Sequence, residues 1–314
     1  VSYIYIIYVM QTQKVEEKVI NLLRKSGPLR GKEMLGNIGS DALLIWRVCN
    51  TSSDIILKII GNKYLRLDRR IDGYARLSPS IMREFLTYTI IGLKTDYLKF
   101  NKKAEELEHS ILNISKNKLE LSKAIISKIV NLQHNSSEIK SKAVFILSGD
   151  IVYNMAHAEP RPEPSTGEMV RGSDLDIIII TDGLDSGIIK KLDNSIYEEK
   201  YYLLKNPAYR EEIDYIIKDF QRVEEQLNFD TFEHMVASKI LYEGIFLFGS
   251  YDLFNKVKDM LAKQKITEKL KKLEETAFSK RKDAWLYLLN NESTPDQEKY
   301  KNLFYTKEET EEIF

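Results

Sequence analysis

Two acidic residues stand two positions apart where a run of isoleucines begins. Asp174 and Asp176 flank Leu175, and four isoleucines follow at positions 177–180. β-Branched runs of this length favour a buried strand. Since side chains at i and i+2 of a strand point to the same face, the two carboxylates should project together. Adjacent carboxylates repel each other and are retained most readily around a divalent cation. The pattern indicates either a metal-binding pair or two solvated acids at the start of a strand.

Two further segments could complete such a site. Upstream, an apolar strand is predicted to end in Ser148-Gly149 and to lead into a helix-compatible stretch, 150–156. A small-residue turn between a strand and a helix lets backbone N–H groups reach phosphate oxygens. Downstream, residues 211–217 alternate like a short strand and carry Asp214. If that strand neighbours the first, its carboxylate lies beside the other two.

This three-part arrangement resembles the DNA polymerase β-like nucleotidyltransferase superfamily. The motif of that superfamily is a strand ending in Gly-Ser or Gly-Gly, then Asp-x-Asp on a strand, then a lone Asp on a third strand. Ser148-Gly149 corresponds to the first element with the order reversed, and residues 172–176 (Gly-Ser-Asp-Leu-Asp) correspond to the second. Asp214 corresponds to the third. The resemblance covers about residues 140–220.

The resemblance implies a two-metal enzyme that uses Mg²⁺, or alternatively Mn²⁺. Asp174, Asp176 and Asp214 would bind the metal, and Asp214 would help to position or deprotonate the attacking hydroxyl. Such an enzyme moves a nucleoside monophosphate from ATP or another NTP to a hydroxyl and releases pyrophosphate. The acceptor stays open between RNA, protein hydroxyls and small molecules. The expected nucleotide-binding residues are Ser148, Gly149, Arg171, Gly172 and Ser173.

The segment 157–171 lies between the expected phosphate turn and the acidic strand. Its three prolines and one glycine predict a loop outside helix and sheet. We expect either a mobile lid or acceptor-recognition loop, or an ordinary surface loop. His157 and Arg171 are the loop residues expected to face a triphosphate.

The N-terminal region, 10–95, reads as three short helices followed by a hairpin, which is typical of a winged helix. Between positions 14 and 76 there are thirteen Lys or Arg residues against seven Asp or Glu residues. Arg69 and Arg70 at the hairpin tip could contact nucleic-acid phosphates or enter a minor groove. The alternative is a small interaction or dimerisation domain with a solvated turn.

The predicted fold class is α+β: a nucleotidyltransferase-like mixed sheet with helices, flanked by an N-terminal winged helix and a C-terminal helical bundle. The connecting region is predicted as one long helix or an antiparallel pair, with a coiled-coil homodimer as a further alternative. Beyond the winged helix, the expected divisions are 96–140 (connecting helix or helices), 141–220 (catalytic domain), 221–290 (helical region with Trp285 and Tyr287 packed inside) and 291–314 (acidic tail).

The composition limits the classes of protein that fit. Over 314 residues, 47 basic side chains balance 47 acidic ones, so the whole chain is not a polyanion binder. One cysteine, Cys49, excludes a disulfide framework and a cysteine-rich zinc site, and fits a reducing cytoplasm. No apolar run reaches the roughly 18 residues of a membrane span, and the apolar start, 1–10, lacks the basic region of a signal peptide.

Two functions other than nucleotidyl transfer remain open from the sequence. One is a DNA-binding regulator whose nucleotidyltransferase-like domain senses a nucleotide. The other is a toxin–antitoxin or defence component that acts on a partner protein.

Overall fold

The computed structural model describes residues 3–290 and Phe304, and its fold is α+β. The predicted acidic tail, 291–314, lies outside the described residues except for Phe304. Two compact units are present. The first comprises the described parts of 1–66, 75–110 and 274–314, and the second comprises 67–74 and 111–273.

The first unit contains helices of 8 to 24 residues, a three-stranded sheet and a two-stranded hairpin. β5 is the central strand of the sheet and pairs antiparallel with β1 and β2. β3 pairs with β4 in the hairpin. The elements are α1 (Tyr3–Ser26), β1 (Leu29–Arg30), α2 (Gly31–Ile38), α3 (Ala42–Thr51), β2 (Ile55–Ile59), β3 (Tyr64–Leu67), β4 (Ala75–Ser78), α4 (Ile81–Tyr88) and β5 (Thr89–Leu93).

Helix α4 ends earlier than its sequence predicts. The cap at Ser78-Pro79-Ser80 and the residues after it predict a helix to about Ile91, but α4 ends at Tyr88 and the chain enters β5 directly. Ile90 and Ile91 are fully buried. β-Branched residues suit such a strand, which explains why the local helical pattern does not extend further.

The core of the first unit includes residues from the end of the chain. Trp46 on α3 meets Trp285 edge-on, with 6.0 Å between ring centroids, and it contacts the ring of Phe304 at 5.9 Å. Leu288 is fully buried in the same cluster. The region 221–290, predicted as one C-terminal helical bundle, is therefore divided, because residues 274–290 belong to the first unit and residues 221–273 to the second.

The second unit is built on a four-stranded mixed sheet with the order β10-β9-β6-β11. A long helix, α5 (Tyr97–Asn131), and the final helix, α11 (Ile266–Asn290), contribute residues to both units. The other elements are α6 (Ser136–Lys142), β6 (Ala143–Ser148), β7 (Pro160–Pro162), β8 (Met169–Arg171), β9 (Leu175–Thr181), α7 (Ser186–Lys205), β10 (Ile213–Asp219), α8 (Phe220–Gln226), α9 (Phe232–Glu243), β11 (Ile245–Gly249) and α10 (Tyr251–Lys263).

One face of this sheet forms the main core of the second unit. Ile177 and Ile179 of β9 pack in one cluster with side chains of α5 and α7. Residues at alternate positions, including Asp176, belong to the opposite face. The isoleucine run therefore fixes which face the acidic residues occupy.

Two segments near the acids differ from the sequence prediction. Residues 150–156 form hydrogen-bonded turns in place of a helix, with the amide of Met155 donating to the carbonyl of Asp150 at 2.9 Å. The segment 157–171, predicted to lie outside helix and sheet, contains the antiparallel hairpin β7–β8. Pro160 and Pro162 both lie in β7, which belongs to a two-stranded sheet. Proline has no backbone N–H to donate, and an edge strand tolerates that loss.

Candidate active site

Three neighbouring strands bring the predicted acids and the Ser148-Gly149 turn to one end of the sheet. β9 and β10 are parallel, and Asp176 lies directly opposite Asp214. β6 is antiparallel to β9, and Ser148 lies opposite Asp176 on the other side. Adjacent strands lie about 4.8 Å apart, and directly opposed residues share a face. The register therefore places Ser148, Asp176 and Asp214 in one row.

The three acids differ in exposure. Asp174 lies immediately before β9, and 32% of its side chain is exposed. Asp176 is half-buried, and Asp214 is exposed on the edge strand β10. A carboxylate row that solvent reaches from one side can bind a small ligand without a rearrangement of the core.

Two glycines are required where the predicted phosphate-binding segments turn. Gly149 has φ +77°, and a Cβ atom there would overlap the Oδ2 atom of Asp176. Gly172 has φ +66°, and a Cβ atom there would overlap the carbonyl oxygen of His157. Both backbones are left-handed, a conformation that other residues adopt only at a cost. Glycine at these positions allows the chain to approach the acidic row closely.

Ser173, predicted to contact phosphate, joins the turns around the site. Its hydroxyl donates to Asp150 at 3.0 Å and accepts the amide hydrogen of His157 at 3.2 Å. Its own amide donates to the carbonyl of His157 at 3.1 Å. Ser173 and His157 are both buried. The geometry thus gives both residues a role in holding the turn that ends at Asp174.

Arg161, on the hairpin strand β7, is a site residue that the sequence analysis missed. It is 7% exposed, and its guanidinium forms an ion pair with Asp174. The same guanidinium donates to Glu212 at 2.9 Å and to the carbonyl of Gly172 at 2.9 Å. The buried guanidinium therefore links the hairpin β7–β8 to the turn at Gly172–Asp174 and to Glu212, which precedes β10.

Lys118 on α5 is a second cation that the sequence did not predict, and it stabilises the turn that leads to Asp174. Its ammonium group donates to the carbonyl of Arg171 at 2.9 Å and forms a buried ion pair with Glu211. Burial lowers the pKa of Lys118, and the charge of Glu211 partly opposes that shift. Burial likewise raises the pKa of Glu211, which Lys118 partly opposes. Arg171, a predicted nucleotide contact, is exposed, and its amide donates to the carbonyl of Arg210 at 2.8 Å.

A third group of polar residues surrounds the Ser148-Gly149 turn. Glu243, at the end of α9, lies 3.5 Å from the amide nitrogen of Gly149 and accepts from the hydroxyl of Tyr153 at 2.7 Å. It also forms a buried ion pair with Lys239. A carboxylate therefore occupies the turn amide where the sequence predicted a phosphate. Backbone N–H groups in such a turn bind anions of either kind.

The carboxylates of Asp174, Asp176 and Asp214 suit a hard divalent cation, but in the described conformation they are not grouped around a common point. Carboxylate oxygens are the ligands that Mg²⁺ and Mn²⁺ prefer, and the register aligns Asp176 with Asp214. Within residues 3–290 and Phe304, no three His, Cys, Asp or Glu side chains are grouped to hold a metal ion. The carboxylate of Asp174 faces the guanidinium of Arg161. A metal at this site would have to replace that cation.

The two arginines predicted to contact nucleic acid have different surroundings. Arg69 forms an ion pair with Glu233 on α9, and its guanidinium lies 5.1 Å from the ring centroid of Phe232. Arg70 is exposed, and its amide donates to the side chain of Asp68 at 3.0 Å. Of the two side chains, Arg70 has the surroundings expected of a phosphate contact.

No family model, curated protein or solved structure matches this chain. Within the part of the chain that the structure describes, no helix is long and apolar enough to cross a membrane.

Proposed function

We propose that the protein is a metal-dependent nucleotidyltransferase. The observation that carries this proposal is the row formed by Ser148, Asp176 and Asp214 on three adjacent strands, with Asp174 two residues before Asp176. The order of these residues in the chain resembles the polymerase β-like motif. Mg²⁺ bound by Asp174, Asp176 and Asp214 would neutralise phosphate charge and lower the pKa of the attacking hydroxyl.

The residues of the chain would divide the remaining work. The amide of Gly149 would bind a phosphate oxygen in place of Glu243, and Lys239 would supply a nearby positive charge. Arg171 is exposed beside the acidic turn and could contact the same phosphates. Asp214, on the edge strand, is the acid most accessible to the acceptor hydroxyl and would orient it or accept its proton.

The experiment is to incubate the protein with each α-³²P-labelled NTP, Mg²⁺ and either total RNA or total protein from cells. We expect label in one acceptor fraction and its loss in the variants Asp174→Asn and Asp176→Asn, because an amide does not neutralise metal charge. Asp182→Asn is the matched control, since Asp182 follows the opposite end of the same strand and pairs with Lys256. Wild-type turnover in either catalytic variant would overturn the enzymatic proposal.

A second function is favoured by one observation, the ion pair between Arg161 and Asp174. A DNA-binding regulator that only senses nucleotide could keep a permanent guanidinium where an enzyme binds metal. The two proposals differ in their response to Mg²⁺. Nucleotide binding that is independent of Mg²⁺, together with no transfer to any acceptor, would favour the regulator.

A further inference from the structure

Helix α7 carries an exposed row of tyrosines. Tyr197, Tyr201 and Tyr202 are 63%, 56% and 49% exposed, and Tyr209, in the segment after the helix, is 37% exposed. The opposite side of α7, including Leu192 and Ile196, is buried against the sheet. These rings therefore do not serve the core of the unit. Large exposed aromatic side chains that are grouped together mark an interaction surface.

The spacing of the tyrosines allows several flat groups of one ligand to stack on different rings. Tyr197 and Tyr201 are four residues apart, so they lie on one helix face about 6 Å apart along the axis. The rings of Tyr202 and Tyr209 meet at 6.1 Å between centroids. The surface thus offers more than one aromatic face to an extended chain of flat groups.

The charges around these rings favour a polyanion. Between positions 190 and 210 there are five Lys or Arg residues against three Asp or Glu residues. One of the three acids, Glu199, is already neutralised by Lys128 at 2.9 Å. Lys205 lies 5.9 Å from the ring centroid of Tyr201 and pairs with Glu168 on the exposed surface at 2.8 Å. Aromatic rings interleaved with basic side chains are the combination that binds single-stranded nucleic acid, because bases stack and phosphates pair.

The chain that follows α7 joins the tyrosine surface to the acidic end of the sheet. After α7 the chain passes through Tyr209 and Arg210 and enters β10, which carries Asp214. The carbonyl of Arg210 accepts from the amide of Arg171 at 2.8 Å. Next in the chain, Glu212 accepts from Arg161, the partner of Asp174. Because α7 packs on the face of the sheet opposite to Asp176 and Asp214, an RNA strand lying along the tyrosines would have to pass Tyr209 and turn around the end of the sheet to reach the acids.

We propose that the tyrosine surface of α7, formed by Tyr197, Tyr201, Tyr202 and Tyr209, binds single-stranded RNA as the acceptor for nucleotidyl transfer. This inference rests on the proposed function for its catalytic meaning, but RNA binding is testable without catalysis. A protein acceptor is the competing outcome. Stacking on tyrosine is tolerant of base identity, so we expect weak sequence preference.

The test is fluorescence anisotropy with a labelled 20-nucleotide RNA, in EDTA and without NTP, so that no transfer occurs. We expect Tyr201→Ala and Tyr202→Ala each to weaken binding by about 5- to 150-fold, the range for loss of one base–aromatic stack. Tyr201→Phe should retain most of the affinity, because the ring and not the hydroxyl stacks. Single-stranded DNA and duplex RNA of the same sequence are the comparison ligands, and the duplex should bind more weakly.

The matched control is Tyr251→Ala, since Tyr251 is 58% exposed in the same unit but follows β11, at the opposite edge of the sheet. It should bind RNA as the wild type does. Unchanged affinity in the α7 variants, or no binding of RNA by the wild-type protein, would overturn the inference. Transfer of label to a protein fraction in that case would leave the proposed function intact and assign a protein acceptor to it.

Discussion

Replacing Arg161 with methionine should destabilise the second unit and expose the charge of the acidic site. The variant leaves Asp174 and Glu212, which are 32% and 11% exposed at their side chains, without their shared cation. Removal of one partner from a buried ion pair costs roughly 3–5 kcal/mol. Because water partly screens Asp174, we expect the low end, a loss of about 3 kcal/mol in the free energy of unfolding. Urea denaturation followed by circular dichroism measures this loss.

The same variant should respond more strongly to Mg²⁺ than the wild type. In the wild type, Mg²⁺ must displace the guanidinium from Asp174, whereas the variant offers unneutralised carboxylates. A ligand at one hundred times its dissociation constant stabilises a protein by about 2.7 kcal/mol. We therefore expect Mg²⁺ to restore most of the lost stability, in buffers matched for ionic strength with NaCl. The readout is the difference in unfolding free energy with and without Mg²⁺.

The control is Arg222→Met, because Arg222 pairs with Glu225 on the surface of α8, and both side chains are about half exposed. Its cost should be below about 0.5 kcal/mol, with no effect of Mg²⁺ on the difference from wild type. A loss below about 1 kcal/mol in Arg161→Met would contradict the assigned role of the guanidinium. Equal Mg²⁺ effects in Arg161→Met and wild type would contradict the idea that metal and guanidinium compete.

Three further outcomes are expected. Gly172→Ala should lower the free energy of unfolding more than Gly167→Ala, because both glycines have positive φ but only a Cβ atom at Gly172 would overlap a backbone carbonyl. We expect a loss of roughly 1–2 kcal/mol for Gly167→Ala. Equal losses in the two variants would refute the close approach at Gly172. Hydrogen bonds from Ser165 and Thr166 outweigh the effect of burial and lower the pKa of Glu163 to about 2. Its stabilisation should therefore be complete above pH 4.5 and disappear as the pH falls towards 2, so the difference between wild type and Glu163→Gln, roughly 2 kcal/mol at neutral pH, should vanish in acid urea titrations. Arg70→Ala should reduce the log–log salt slope of nucleic-acid binding by about 0.9 on duplexes or 0.7 on single strands. Arg69→Ala should leave that slope unchanged, because Arg69 pairs with Glu233. Equal changes of slope in the two variants would contradict the different roles of Arg69 and Arg70.

The strands β6, β9 and β10 and the helix α5 were predictable from the sequence because local patterns determine them. Four consecutive isoleucines favour a buried strand. The long helix predicted from about Asp96 is the single helix Tyr97–Asn131. The hairpin β7–β8 was missed because its prolines argue locally against a strand. Its tip is held by Glu163, whose carboxylate accepts hydrogen bonds from both Ser165 and Thr166. That contact is a property of the closed turn and has no periodic signal in the sequence.

The cations of the site could not be predicted because their partners are distant in the chain. Arg161 pairs with Glu212, 51 positions away, and Lys118 pairs with Glu211, 93 positions away. Only the parallel pairing of β9 with β10 brings these acids to the same turn. The one available signal was an arginine between two prolines, which indicates a fixed backbone and gives no indication of which carboxylate the arginine meets.

The charges around the acidic row suggest how the described conformation could admit a nucleotide without an uncompensated charge. Asp174 is paired with a guanidinium, so it can exchange Arg161 for metal charge. The Gly149 amide faces the carboxylate of Glu243, so it can exchange one anion for another, a phosphate oxygen. Arg161, once released, and Lys239 could then pair with the new phosphate charge. The cation beside Asp174 has the charge sign of a metal ion, and the carboxylate beside the Gly149 amide has the charge sign of a phosphate. While no nucleotide is bound, such a site avoids the cost of isolated buried charges.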